Sequence, residues 1–255
     1  MLLAIETFRG QQRVQHRVAG LVLGLILQNA GLHPGQRRVL LGAVPLGADV
    51  GDLHLQLMIP PVDELDSLFA PLVLLKKPYT VLQLAGRQVY INESCNACHS
   101  QLIRPFKSET DRYGAYSKSG EFAYDRPFLW GSKRTGPDLA RVGNYRTSDW
   151  HENHMLDPKS VVPSSIMPAY KHLFKKNADV VTAYAEALTV KKVFNVPYDV
   201  EGQTPLGTLE EAQEGAKAEA QAIVDAMKDP EIKAAFENGE IKEIVALIAY
   251  LNSLK

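Results

Sequence analysis

Cysteine is almost absent: 255 residues carry two, Cys95 and Cys98, so no framework of structural disulfides holds this chain. Long apolar runs are lacking too. The best of them, residues 18–27, stops at Gln28 and Asn29, short of the ~20 apolar residues that span a bilayer. Arg13 and Arg17 stand ahead of this run as in a secretory signal, but Glu6 breaks the basic start and no convincing small-x-small cleavage pattern follows. Positive charge is not in excess, since 28 Lys and Arg meet 29 Asp and Glu. Nucleic acid is therefore not an expected partner, because neutralising phosphates needs a basic surplus. Aromatics are scarce at the start: Phe8 and Phe69 are the only two in residues 1–75, which also show no stable hydrophobic period.

The character changes at Lys76-Lys77-Pro78-Tyr79, after which helix caps, aromatics and Pro-marked turns recur. We place a boundary there, with an atypical N-terminal region at 1–75 and one domain at 76–255, long enough to bury an apolar core. Thr80 and Gln83 form a capping-box pattern, and Leu82, Ala85, Gly86, Val89 and Tyr90 follow at helical spacing. This predicts a helix leading into Cys95. Further helices are expected at 148–156, 178–189 and 209–227, with Pro158, Pro197 and Pro230 ending or separating them. No strand pattern competes. Ile241, Ile244, Val245, Ile248 and Leu251 share one stripe of a terminal helix, which packing against the first helix would bury. Between them, residues 101–134 are polar and Gly-punctuated yet hold seven of the 20 aromatics. Such a loop must pack onto something. It is expected to cover a site and to dock a partner through Phe122, Tyr124 and the arginines 104, 112 and 126, the alternative being internal packing.

The chemistry sits in Cys95-Asn96-Ala97-Cys98-His99, the attachment pattern of a c-type haem. Two thiols at this spacing, near one helical turn, reach the two vinyl groups of a porphyrin edge, and the next imidazole lies under the iron. A thioredoxin-like dithiol would need a βαβ setting that this helical pattern does not supply. A zinc site of Cys95, Cys98, His151 and His154 would place its histidines closer in sequence than usual, and these histidines read instead as surface or carbonyl-capping groups. Thr135-Gly136-Pro137-Asp138-Leu139 forms a turn whose Pro137 carbonyl could accept the second ring N–H of His99, as metal-bound histidines require. The far face of the iron could take Met, His or nothing. Met227 continues a helical stripe, Met155 lies in a short polar helix, and Met167 sits between Pro163 and Pro168 in an extended segment. Methionine in loops is often packing, so the residues alone leave Met167 and a histidine both open.

Beyond these residues, several stretches carry a wider likeness: Lys77-Pro78-Tyr79-Thr80, the run from Cys98-His99-Ser100-Gln101-Leu102 to Pro105-Phe106, Phe128-Leu129-Trp130-Gly131 through Gly136-Pro137-Asp138-Leu139 to Gly143, Met167-Pro168-Ala169-Tyr170, and Ala246-Leu247-Ile248-Ala249-Tyr250-Leu251. On them the chain resembles the mono-haem cytochrome c subunit of cbb3-type cytochrome c oxidases. The resemblance implies a mainly α fold, a class I cytochrome c-like domain with a long aromatic loop insertion, preceded by an N-terminal region of uncertain structure. It implies one covalent haem c at Cys95, Cys98 and His99, with Met167 as the second iron ligand. It also implies a non-catalytic electron-transfer subunit, facing the periplasm at a bacterial inner membrane beside a haem-copper catalytic subunit and other cytochrome c subunits. The competing readings are a soluble periplasmic electron shuttle and a haem-based sensor or peroxidase. Members of that family carry one membrane-spanning helix ahead of the Lys-Pro-Tyr-Thr stretch, and residues 1–75 offer no recognisable equivalent. The expectation is that the true N-terminus is read in another frame or starts elsewhere, with an anchor of ~20 residues directly before Lys76.

Overall fold

The computed structural model describes residues 76–255, and the expectations for residues 1–75, including the anchor, lie outside the described residues. Thr80 opens the first helix, α1 (Val81–Asn92): its hydroxyl accepts from the Gln83 amide at 3.2 Å, and the Gln83 side chain accepts from the Thr80 amide at 3.2 Å. This satisfies two amides that no helical carbonyl reaches. The same two side chains also donate to Glu219, at 2.6 and 2.9 Å, which ties the start of α1 to a distant helix.

The centre of the core is the crossing of α1 with the last helix, α8 (Glu243–Ser253). Every residue of α8 from Ile244 to Leu251 is buried, so this helix is apolar all round rather than amphipathic. The backbones meet at Gly86, where an added Cβ would lie 1.9 Å from the Ala246 carbonyl oxygen. Only a residue without a side chain allows so close an approach. Gly86→Ala is therefore expected to push the helices apart and to cost about 1–3 kcal/mol or more, the range for overfilling a packed core. Urea unfolding checks this as a lowered midpoint.

Around that pair stand α5 (Val180–Phe194) and α6 (Leu209–Ala226). Both use alanines where they approach the core: Ala183 and Ala187 on α5, and Ala212, Ala216 and Ala220 on α6. Helix α5 runs five residues beyond the expected end at 189, closing at Asn195 in the left-handed conformation just before Pro197. Three short helices were not anticipated: α2 (Lys107–Tyr113), α4 (Pro158–Val161), and α7 (Pro230–Glu237). Between α2 and α4 lies α3 (Ser148–Leu156), at the expected position. Pro158 and Pro230, read as helix stops, instead occupy the first turns of α4 and α7, where Asp157 and Asp229 cap the amides that follow.

Among the described residues the fold is mainly α with no β-sheet; a single antiparallel bridge pairs Asn177 with Lys242. Two aromatic clusters fill it. Tyr250 contacts Tyr79 and Tyr90 with ring centroids 5.8 and 5.4 Å apart. In the long loop, Trp130 meets Phe122 edge-on at 5.6 Å and stacks on Phe128 at 4.6 Å. Phe122 is only 6% exposed, so the expectation that it faces a partner is corrected: its ring packs inside the chain. Phe106, Tyr116 and Phe128 are the exposed aromatics of this loop.

Candidate functional site

Helix α1 ends at Asn92, and Ser94, in the left-handed region at φ 56°, turns the chain into a single 3-10 turn at Cys95–Ala97. The Cys95 carbonyl accepts from the amides of Cys98 (3.1 Å) and His99 (2.9 Å). One turn thus presents both thiols and the imidazole together. Burial pushes the Cys95 thiol up to about 12.

The turn at 135–139 is stitched onto this segment. The Gly136 amide donates to the Cys98 carbonyl at 3.0 Å and the Leu139 amide to that of Ser100 at 2.9 Å. Between them the Pro137 carbonyl lies 2.8 Å from His99 Nδ1. A carbonyl can only accept, so Nδ1 carries the proton and Nε2 keeps its lone pair, the tautomer a metal ligand needs. Burial holds the His99 pKa below its ordinary value, which keeps the ring neutral. Gly136 has no room for a side chain here, since a Cβ would sit 2.2 Å from His99 Cε1.

Asp138 anchors the arrangement. Its buried carboxylate accepts from Ser100 Oγ at 2.6 Å and from the amides of Leu102 and Ala140 at 2.9 and 2.8 Å. Arg134 reaches Asp138 at 3.4 Å and Glu109 at 2.7 Å. Glu109, also bound to Arg104, is held down to about 2 from its ordinary 4.5, first by the Arg134 hydrogen bond. A carboxylate whose folded pKa lies below its unfolded value stabilises the fold fully above about pH 4.5 and loses that contribution as pH falls toward 2. Glu109→Gln is accordingly expected to flatten the fall in stability across that window while leaving the slope above it unchanged, as read by denaturation at a series of pH values.

Cys95, Cys98, His99, Pro137 and Met167 all line one cavity of about 600 Å³. Met155 lines it too, and the two methionine segments are joined by the Tyr170 amide donating to the Met155 carbonyl at 2.8 Å. Met227 lies in the core away from the cavity. The donors of a possible zinc site share the cavity but do not converge: among the described residues no three His, Cys, Asp or Glu side chains are placed to hold one metal ion.

Arg112, Arg146, Trp150, His151 and His154 also line this cavity; the sequence pointed to Arg112 only as a docking residue and to His151 and His154 only as possible zinc ligands, and gave Arg146 and Trp150 no role. His151, expected at a helix surface or on a carbonyl, is 1% exposed with neither ring nitrogen partnered. Burial, reinforced by His154 and Arg146, pushes its pKa down to about 4. The Trp150 ring stacks on His154 at 4.5 Å and beneath the Arg146 guanidinium at 4.2 Å. Arg146, Trp150 and His154 follow each other at i, i+4 spacing, a signal present in the sequence. Among the described residues no Asp, Glu or Lys lines the cavity, and the charged side chains on its wall are two guanidiniums.

These residues fit a haem c: an apolar pocket of ligand size, two thiols and an imidazole in one turn, a free Nε2, and positive walls for an anionic macrocycle. Among the described residues no helix is long and apolar enough to cross a membrane. No curated protein matches the chain. A family profile described as cytochrome c oxidase, mono-heme subunit/FixO matches residues 58–255, a stretch that begins upstream of Lys76. With most of its length matched, the chain belongs to this family of mono-haem oxidase subunits, whose members carry electrons and are not themselves catalytic.

Proposed function

We propose that residues 76–255 form a class I cytochrome c-like domain holding one haem c through thioethers from Cys95 and Cys98, with His99 Nε2 and the Met167 thioether as iron ligands. The observation that carries this reading is the shared cavity, in which the thiols, the oriented imidazole and Met167 face one space. When bound, the haem supplies one-electron exchange at its iron. The chain's residues do the rest. Pro137 and Gly136 fix the imidazole, the apolar wall excludes water, and a thioether ligand favours ferrous iron and raises the potential.

Within a cbb3-type oxidase the chain passes electrons toward the haem-copper catalytic subunit, beside the other cytochrome c subunits, at the bacterial inner membrane with the haem domain in the periplasm. Family membership supports that assembly. A pyridine haemochrome spectrum of the purified chain tests the cofactor: one thioether-linked haem per chain is expected, and zinc without haem would overturn the reading. Recovery with the oxidase in the membrane fraction tests the assembly, and a freely soluble haem protein would favour the periplasmic shuttle.

A further inference from the structure

The arginines of the described residues divide into three sets. Arg104, Arg134 and Arg141 pair with carboxylates, the last two at 2.7 Å from Glu109 and Glu121. Arg87 and Arg126 donate to backbone carbonyls, at 2.9 Å to Arg126 and 2.6 Å to Asp125. Arg112 and Arg146 have neither among the described residues; each lies over an aromatic ring, Tyr113 at 5.1 Å and Trp150 at 4.2 Å. These two are the arginines on the cavity wall.

Beside them His151 is 1% exposed and lacks any partner for either ring nitrogen. A buried imidazole in that state costs stability unless something absent from the chain itself satisfies it. Two unpaired guanidiniums, an orphaned ring N–H and a wall without acidic groups together describe a receptor for carboxylates. A haem carries two, on the edge remote from its vinyl groups. The thiols belong to the turn after α1, whereas Arg112 belongs to α2 and Arg146 to the segment entering α3, so thiols and cations reach the wall from different segments.

We infer that Arg112 and Arg146, with His151 as a buried hydrogen-bond donor, hold the two haem carboxylates and fix the macrocycle's orientation in the cavity. The inference rests on the haem reading above. Neutralising an anion near the iron favours the ferrous state, so these residues also set the potential from beyond the ligands.

The test uses the full chain, matured with its haem in the native membrane, as wild type and as Arg146→Leu, Arg112→Leu, His151→Gln and His151→Phe. Resonance Raman spectra report the propionate bending modes, redox titration the midpoint potential, and absorption the methionine-to-iron band. Arg146→Leu and His151→Phe are expected to shift the bending modes and lower the potential with the methionine band retained, while His151→Gln, which keeps a donor, stays near wild type. Unshifted modes and potential in both arginine variants would overturn the inference. So would altered iron ligation in His151→Gln, which would make His151 an iron ligand. If His151→Phe fails to accumulate, the arginine variants carry the test alone, because both side chains sit on exposed residues. Absence of covalent haem from the wild type would instead sink the haem reading itself.

Discussion

Asp138→Ala is expected to cost about 3–5 kcal/mol of stability, the range for removing one partner of a buried charged network. The carboxylate is 1% exposed and serves three donors besides Arg134. Arg134 would keep Glu109 at 2.7 Å, so the loss comes mainly from the Ser100 hydroxyl and the Leu102 and Ala140 amides, left without an acceptor in a dry interior. Because Ser100 and Leu102 lie just after His99, the segment carrying His99 should loosen first. Urea unfolding followed by both helix signal and haem absorption would read this as a lower midpoint, with the haem signal departing earlier. A midpoint within 1 kcal/mol-equivalent of wild type, on the order of an ordinary surface change, would show that the network is dispensable.

The second large effect concerns the iron's far side. Met167→Ala should abolish the methionine-to-iron charge-transfer band and lower the potential, since water or an imidazole stabilises ferric iron more than a thioether does. Met155 is the control the fold makes necessary, because it lines the same cavity and its carbonyl holds the Tyr170 amide at 2.8 Å. Met155 is buried in the core cluster on a helix, whereas Met167 belongs to a segment without helix, with its amide donating to Ser165 Oγ at 3.2 Å. Met155→Ala should therefore cost packing, about 2–5 kcal/mol, and spare the band. The reverse pattern would transfer the ligand role to Met155.

What was legible in the sequence was what depends on short-range pattern. The Thr80–Gln83 box, the terminal helix and the Cys95–His99 turn each arise from residues within a few positions of one another, although Ile241, expected on the stripe of α8, lies ahead of that helix, and α8 is buried all round rather than along one stripe. Proline was read through only half of its chemistry. It ends helices from within but opens them at the first turn, and the Asp before Pro158 and Pro230 was the available sign. Helix α2 has no apolar period to reveal it; Glu109 alone turns inward, toward Arg104 and Arg134. Phe122 and His151 illustrate the other limit. An aromatic in a polar loop and a histidine in a polar helix both look exposed until distant segments close over them. The cavity is harder still, because its wall is assembled from segments far apart in the chain.

The crossing at Gly86 bears on the order in which the domain acquires its structure. Gln101 and Tyr250, joined by a hydrogen bond in the same core, are 149 positions apart. Contacts of such separation form only after the loop between them has been closed, and proteins dominated by them fold slowly. During synthesis α1 and the Cys95–His99 turn emerge before the helices that bury α1. Until α5, α6 and α8 have all formed, the apolar face of α1 is only partly covered and the Cys95–His99 turn lacks its finished wall. The close packing at Gly86 therefore follows a period of openness, when the thiols are accessible and the partly covered apolar face of α1 is open to aggregation.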